Sequence, residues 1–302
     1  MQYVVTGGAG FVGSHLVDYL ISKKSEVIVL DDLSTGKYIH PKSKFVKFDL
    51  RRPISISMPK GAGVFHLAAN PNVRESMLNS QEHFDRDVKT TFNVMEMARK
   101  MDSQFVIFLS TSAVYGDPKK MPSKESDPAM PISNYAHFKL MGEGMLEFYA
   151  RAYGMKTISL RMANIVGKRS DHGVIVDFRK KLLHSPDALE LLGDGTQKKS
   201  YIYVADAIDA IMLAARKSQS NYSVFNVGST DNISVKDIAS IIEEKMGAHP
   251  KHSFRDAGGG RGWKGDVKLM QLDISRMRSL GWKPKFNSRQ SVEKAVEDLL
   301  AE

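Results

Sequence analysis

The sequence predicts an α/β fold, a doubly wound parallel sheet followed by a smaller C-terminal α/β domain. Three observations carry that expectation. Apolar runs of strand length alternate with longer segments of helical periodicity through the first half of the chain. Those runs are apolar throughout rather than at every second residue, the pattern of strands covered on both faces. A glycine-rich turn joins the first strand directly to the first helix, as in parallel α/β units.

The first run, Tyr3-Val4-Val5, meets glycines at Gly7, Gly8, Gly10 and Gly13. Apolar Phe11, Val12, Leu16, Tyr19, Leu20 and Ile21 then mark a helix. The second run, Val27 to Leu30, ends in Asp31-Asp32, and a third, Phe45 to Phe48, ends in Asp49. Val64 to Leu67 and Phe105 to Leu109 read as further strands, with a long helix over 81–101 between them. A helix follows over 135–153, then a strand from Thr157 to Leu160. Past Gly167 the rhythm breaks into shorter, more basic, glycine-richer segments. A helix over 206–217 and a strand over 222–227 are expected to return to the first sheet. The division is therefore 1–165 and 166–302, with 200–228 rejoining the first part. Helices over 234–246 and 288–300 flank Ala257-Gly258-Gly259-Gly260-Arg261-Gly262.

Composition narrows the class. At 302 residues, 42% hydrophobic and 25% charged, the chain can bury two ordinary cores. It has no cysteine, which excludes disulfides, thiolate metal sites and a cysteine nucleophile, and suits a reducing interior. A first strand at Gln2 leaves no room for a signal peptide, and no apolar run approaches the ~20 residues that span a bilayer. A cytoplasmic protein without membrane contact is expected. The formal charge of +9 is dispersed among acids, and clusters such as Arg179-Lys180-Lys181 and Lys198-Lys199 are short. A field that attracts a phosphorylated small molecule explains it more simply than nucleic-acid binding. The nine histidines show no metal-ligand spacing, and His66 at a strand end reads as a packed core residue, so no metal is expected.

Strand, glycine turn, helix, strand and acid together form the layout of a Rossmann dinucleotide-binding unit. Gly7 and Gly10 let backbone amides approach a pyrophosphate, Gly13 lets the helix sit close on the sheet, and the helix N-terminus attracts the anion. Asp31 accepts hydrogen bonds from ribose hydroxyls, and Asp32 adds to the repulsion of a 2′-phosphate. No Arg follows closely, so NAD is favoured over NADP. Asp49 is placed either to meet the adenine or as a solvated strand-end acid.

The chemistry centres on Tyr135-x-x-x-Lys139, preceded by Ser110-Thr111-Ser112-Ala113-Val114-Tyr115-Gly116 after a strand. Residues i and i+4 share a helix face. A lysine ammonium, with the positive nicotinamide nearby, is expected to lower the phenol below its ordinary value of about 10 and make Tyr135 a general base. A hydroxyl at the strand end can hold the reacting oxygen.

With these residues in place, the chain resembles the extended short-chain dehydrogenase/reductases, specifically the NAD-dependent sugar-nucleotide epimerases of the UDP-glucose 4-epimerase type. The resemblance runs from TGGAGFVGSHL at the start through FHLAAN (65–70), STSAVYGD (110–117) and YAHFK (135–139). It continues through LRMANIVG (160–167), LGDGTQKKSYIYVADA (192–207), GRGWKGDV and LGWKP. It implies Thr111, Tyr135 and Lys139 as catalytic residues, with Ser112 beside the sugar. It adds Phe11, Val12, Leu50, Leu67, Ala68 and Ala69 to the cofactor-binding set, and Asn164, Lys199 and Arg261 as holders of the nucleotide diphosphate. Family members that eliminate or decarboxylate carry acids directly before the Val of VYG. Ser112 and Ala113 stand there, which leaves simple epimerisation.

The implied reaction is C4 epimerisation of a UDP-sugar, with UDP-glucose and UDP-galactose leading, through a transient 4-keto sugar. The alternatives are a 4-epimerase of UDP-N-acetylhexosamine or UDP-glucuronate, a nucleotide-sugar dehydrogenase, or a non-catalytic NAD-sensing or RNA-binding module. The chain departs from the family pattern at Asp87, where Asn is usual, and at Phe138, Ala163 and Lys199. Ala163 and Met270 are the positions that could admit a larger sugar substituent. A homodimer is implied, its helices near 81–101 and 134–153 pairing through Phe92, Met95 and Phe148, unless those side chains are core.

Overall fold

The computed structural model describes residues 1–301. The first half runs β1 (Gln2–Thr6), α1 (Phe11–Ser22), β2 (Glu26–Asp31), β3 (Lys44–Lys47), β4 (Gly63–His66), α2 (Val73–Ser76), α3 (Ser80–Phe84), α4 (Thr90–Lys100), β5 (Val106–Thr111), α5 (Asn134–Tyr153) and β6 (Thr157–Met162). The second half adds β7 (Asn164–Val166), α6 (Val174–His184), β8 (Ala188–Leu192), β9 (Lys198–Lys199), β10 (Tyr201–Tyr203), α7 (Val204–Lys217), β11 (Tyr222–Val227), β12 (Ile233–Ser234), α8 (Val235–Met246), β13 (Lys251–Arg255), β14 (Leu269–Met270), α9 (Ser275–Ser279) and α10 (Ser288–Leu300).

Seven strands form one sheet in the order β11-β6-β5-β4-β1-β2-β3, every neighbouring pair parallel. The chain steps outward from β1 to β2 and β3, then restarts at β4 on the other side of β1. The carboxyl ends of β1 and β4 therefore flank the switch point, where open α/β sheets leave a crevice. The continuous apolar runs have the predicted consequence: Val4, Val5, Val64, Phe65, Ile107, Ile158 and Leu160 are fully buried between helical layers.

A second core lies in the C-terminal half, where Ile175, Phe178 and Leu182 of α6 meet Leu189, Leu191, Ile238, Ile242 and Val296. Two capping boxes start its helices. Ser234 pairs with Asp237 at α8, and Asn287 with Gln290 at α10, each satisfying amides that a helix start leaves unpaired.

Two local expectations need correction, one helix goes beyond them, and one open alternative is resolved residue by residue. The helix over 81–101 is interrupted by a π-helical turn at Asp85–Lys89. An extra residue in that turn swings Asp87 inward, which a count at period 3.6 cannot register. Helix α6 was not expected, because its apolar stripe is masked by the basic run at 179–181. Only α7 and β11 of the 200–228 segment return to the large sheet; β10 pairs instead with β7. Met95 is fully buried, whereas Phe92 and Phe148 are half exposed on the outer faces of α4 and α5.

A buried charge network holds α5 against the sheet. Arg161 of β6 donates Nη2 to Glu143 Oε2 at 2.8 Å, and Ser110 of β5 donates to Glu143 Oε1. Arg161 Nη1 donates to the Tyr115 hydroxyl, which donates to Asn226 Oδ1. Every member is paired, so the buried ions do not go unsatisfied. The network fixes the register of the helix that carries Tyr135 and Lys139.

Candidate active site

A cleft of about 820 Å³ opens at the switch point. Every candidate residue lines it except Arg261: Gly7, Gly10, Phe11, Val12, Gly13, Asp31, Asp32, Asp49, Leu50, Leu67, Ala68, Ala69, Thr111, Ser112, Tyr135, Lys139, Asn164 and Lys199.

The turn after β1 has no room for side chains. A Cβ on Gly13 would stand 2.0 Å from the Gly7 carbonyl oxygen, and one on Gly7, at φ +70°, would lie 2.6 Å from the Ala68 amide. The backbone is thus pulled flat beneath the N-terminus of α1, whose unpaired amides and positive end suit a pyrophosphate. Asp31 closes β2. It accepts from the amides of Ala9 (3.0 Å) and Leu33 (2.9 Å), which aims its carboxylate into the cleft while burial pushes its titration upward.

Two arginines that the linear reading did not foresee join this end. Arg51 pairs with Asp49 at 2.9 Å and reaches Glu82, and Arg86 pairs with Glu82 and reaches Asp32 at 3.5 Å. Three carboxylates thus face two guanidiniums, and Asp31 adds a fourth acid that neither arginine pairs, so the pocket for the adenosine ribose stays net negative and disfavours a 2′-phosphate. Asp49 is held by Arg51 rather than left solvated, and the pair holds its carboxyl below the usual range. The residues fit an NAD-type dinucleotide.

At the reacting end, the helix start is fixed before the side chains are considered. Ser133 caps α5, and the Tyr135 amide donates to Ser76 Oγ at 3.1 Å. Thr111 Oγ1 accepts from the Ala113 amide, which leaves its own proton free to donate to the Tyr135 phenol oxygen. Lys139 donates Nζ to the Leu109 carbonyl at 2.8 Å and stands 6.0 Å from the Tyr135 ring centre.

The expected lowering of the phenol is not found in the protein alone. Burial raises Tyr135 well above its ordinary value, and the charge of Asp87 raises it further, against the opposing hydrogen bond from Thr111. Burial lowers Lys139, with Asp87 and Glu143 opposing. The physical reason is desolvation: the protein packed around the ring disfavours the phenolate more than the Thr111 hydrogen bond can offset. His66 lies between the Thr6 and Thr91 hydroxyls at 2.8 and 3.0 Å, fully buried, as a core histidine.

The far end of the cleft differs from expectation. Asn164 lines it and donates Nδ2 to the Ser200 carbonyl. Lys199 lines it too, but its Nζ is 2.7 Å from the buried Asp266 carboxylate, so its charge is already shared. Arg261 is turned out of the wall into a two-pronged pair with Asp117 (2.8 and 3.2 Å) and donates to the Asp266 carbonyl. Spacing along the chain cannot show this, because Asp117 lies 144 residues away. Ala163 and Met270 both line the cleft. So do Asn70, Tyr201, Trp263 and Asp266, none of which was singled out from the sequence although each lies within one of the family motifs, FHLAAN, LGDGTQKKSYIYVADA or GRGWKGDV.

Known proteins share this architecture. The chain is 36% identical over 303 residues to a putative UDP-glucose 4-epimerase of Methanocaldococcus jannaschii, covering 97% of this chain and 96% of that one. It superposes on a crystal structure of a UDP-galactose 4-epimerase with a TM-score of 0.92 at 41% identity, over 100% of this chain and 99% of the other. The UDP-glucose 4-epimerase of Thermotoga maritima, solved with UDP-glucose, follows at a TM-score of 0.89 and 31% identity, over 100% and 99%. Residues 3–228 match the NAD dependent epimerase/dehydratase family, and the chain belongs to that family.

Proposed function

We propose that the protein interconverts the C4 epimers of a UDP-sugar, UDP-glucose and UDP-galactose being the leading pair. The observation that carries this is the grouping of Tyr135, Thr111 and Lys139 at one end of a cleft whose other walls are the glycine turn and Asn164. The substrates named for similar proteins support the sugar.

Bound NAD supplies a reversible hydride acceptor and a positive ring. Tyr135 takes the proton from the C4 hydroxyl, and Thr111 donates a hydrogen bond to the same oxygen as charge develops on it. Lys139 holds the helix face and adds positive charge beside the phenol. A second positive charge close to Tyr135 opposes the desolvation that otherwise keeps the phenol protonated. Ser112 and Ala113 bring no acid to the sugar, so nothing drives elimination, and the proton on Tyr135 goes back to the oxygen it left. Asn164 and Lys199 serve the diphosphate, Lys199 through a charge it shares with Asp266. The cleft walls keep the 4-keto sugar from leaving while it turns over.

The test is interconversion of UDP-glucose and UDP-galactose by the NAD-loaded protein without added reductant. Tyr135→Phe is expected to lose at least about 100-fold in kcat, within the usual range for removing a general base. An unchanged rate would overturn the assignment. Ala163 and Met270 on the wall favour testing UDP-N-acetylhexosamines in the same panel, and steady accumulation of NADH would mark a dehydrogenase instead.

A homodimer fits the paired outer faces of α4 and α5, where Phe92, Phe148 and Tyr153 are each about half exposed. A cytoplasmic setting fits the lack of cysteine; among the described residues no helix is long and apolar enough to cross a membrane.

A further inference from the structure

The π-helical turn places an acid where the catalytic helix feels it. Asp87 is almost fully buried, and so is His83 one turn earlier. Asp87 Oδ1 accepts from the Asn70 amide at 3.0 Å, which fastens the segment after β4 that lines the cleft. Oδ2 has no hydrogen-bond partner, and neither has His83 Nδ1; the two stand 3.7 Å apart.

The proton on that ring can be assigned from its neighbours. Asn70 Oδ1 accepts from the Asn72 amide, so Asn70 Nδ2 is the group that faces His83 Nε2 at 3.1 Å and donates to it. The ring N–H is therefore on Nδ1, directed at Asp87 Oδ2. One long-range amide, that of Asn70, and one imidazole hold this carboxylate on a turn that packs against α5, the helix of Tyr135 and Lys139.

We propose that Asp87, braced by His83 and Asn70, is a positioning residue whose negative charge sets the pH range in which Tyr135 and Lys139 work. The proposal rests on Tyr135 being the base. The charge of Asp87 acts on both groups in the same direction, raising the phenol and opposing the loss of the Lys139 proton.

Other charges near the pair are accounted for. Glu143 on α5 is neutralised by Arg161 from β6. His66 on β4 is held neutral by burial, its pKa brought down to about 3. Glu82 on α3 is taken by Arg51 and Arg86. Arg74 and Glu75 on α2 and Lys89 on the turn are exposed, and Asp85 is partly so. Asp87 is the buried acid on this side that no cation neutralises, since its imidazole partner is neutral in the tautomer assigned above.

The experiment is the pH profile of kcat for NAD-loaded wild type and Asp87→Asn, with the ultraviolet phenolate titration of each read against Tyr135→Phe. Removing the charge lowers the pKa of both groups. The acidic limb, where the phenol must ionise, and the alkaline limb, where Lys139 must stay charged, both move to lower pH by about one unit. On the acidic limb that shift is about a tenfold gain over wild type at the same pH. His83→Gln keeps the carboxylate, so it lowers the melting temperature and leaves the limbs in place. A new amide at 87 sets two donors against each other. Should Asp87→Asn not fold, D87N/H83N carries the same readout, because an amide at 83 can turn its oxygen to the one at 87.

Limbs and phenolate titration that do not move in a folded charge-removed variant overturn the proposal, and show Asp87 to be purely structural. An active Tyr135→Phe instead overturns the base assignment, whatever Asp87 does.

Discussion

His66 shows how one side chain ties stability to acidity. Thr91 donates its hydroxyl to the Asp87 carbonyl, so it is free to accept from His66 Nε2, and the ring is the neutral Nε2–H tautomer. Full burial lowers its pKa to about 3, against about 6.5 in an unfolded chain. Between those values the unfolded chain binds a proton that the folded one refuses. Stability is therefore fully present above about pH 6.5 and is lost as pH falls toward 3, at up to about 1.4 kcal/mol per unit. Wild type is expected to lose about 2 kcal/mol from this group between pH 7 and 5. In His66→Gln, less stable at pH 7, that pH-dependent part should vanish in paired urea titrations. Equal losses in both proteins would show that His66 is not the group responsible.

At the scale of elements, helix α5 has two unlike faces. Its inner face carries Lys139, Glu143 and Leu146 into the core, and its outer face leaves Phe148 and Tyr153 half exposed, as Phe92 is on the neighbouring helix α4. Aromatic groups in such numbers on adjacent helices are costly to leave in water. The wild-type chain is expected to sediment as a dimer, and Phe148→Lys to shift it to monomer with the fold intact by circular dichroism. A monomeric wild type would refute the interface.

The same helix shows what a linear reading can and cannot see. The glycine turn, Asp31, Tyr135 and Lys139 are local patterns whose spacing states their geometry, and all of them line the cleft. Met95 was visible as apolar but not as inward, since period alone does not say which face is covered. Arg51, Arg86 and the His83–Asp87 pair reach the site through a π-helical turn and through contacts between distant segments. No local period encodes those.

Across the whole molecule the cleft is bounded by two halves with separate cores, and charge pairs clasp them: Arg169 with Asp18 of α1, and Arg261 with Asp117. Asp117 follows the strand that bears Thr111; Arg261 belongs to the glycine-rich turn of the C-terminal half, whose backbone is folded back by Gly258 and Gly260 amides donating to Asp256. Both side chains are partly exposed, so the pair is worth only about 0.2–1 kcal/mol. Were Arg261 to swing inward, a doubly charged diphosphate in the cleft would compete with Asp117 for the guanidinium, and the competition would take that small amount from binding. Asp117→Asn removes the competitor while leaving Tyr135, Thr111 and Lys139 untouched. KM for the nucleotide sugar is then expected to fall by up to about fivefold, the ratio that 1 kcal/mol represents, with kcat little changed. Arg261→Ala should raise KM if the guanidinium swings inward. An Asp117→Asn protein with unchanged KM, alongside an Arg261→Ala protein with unchanged KM, would mean that Arg261 only clasps the two halves and that the diphosphate is held by Asn164 and Lys199 without it.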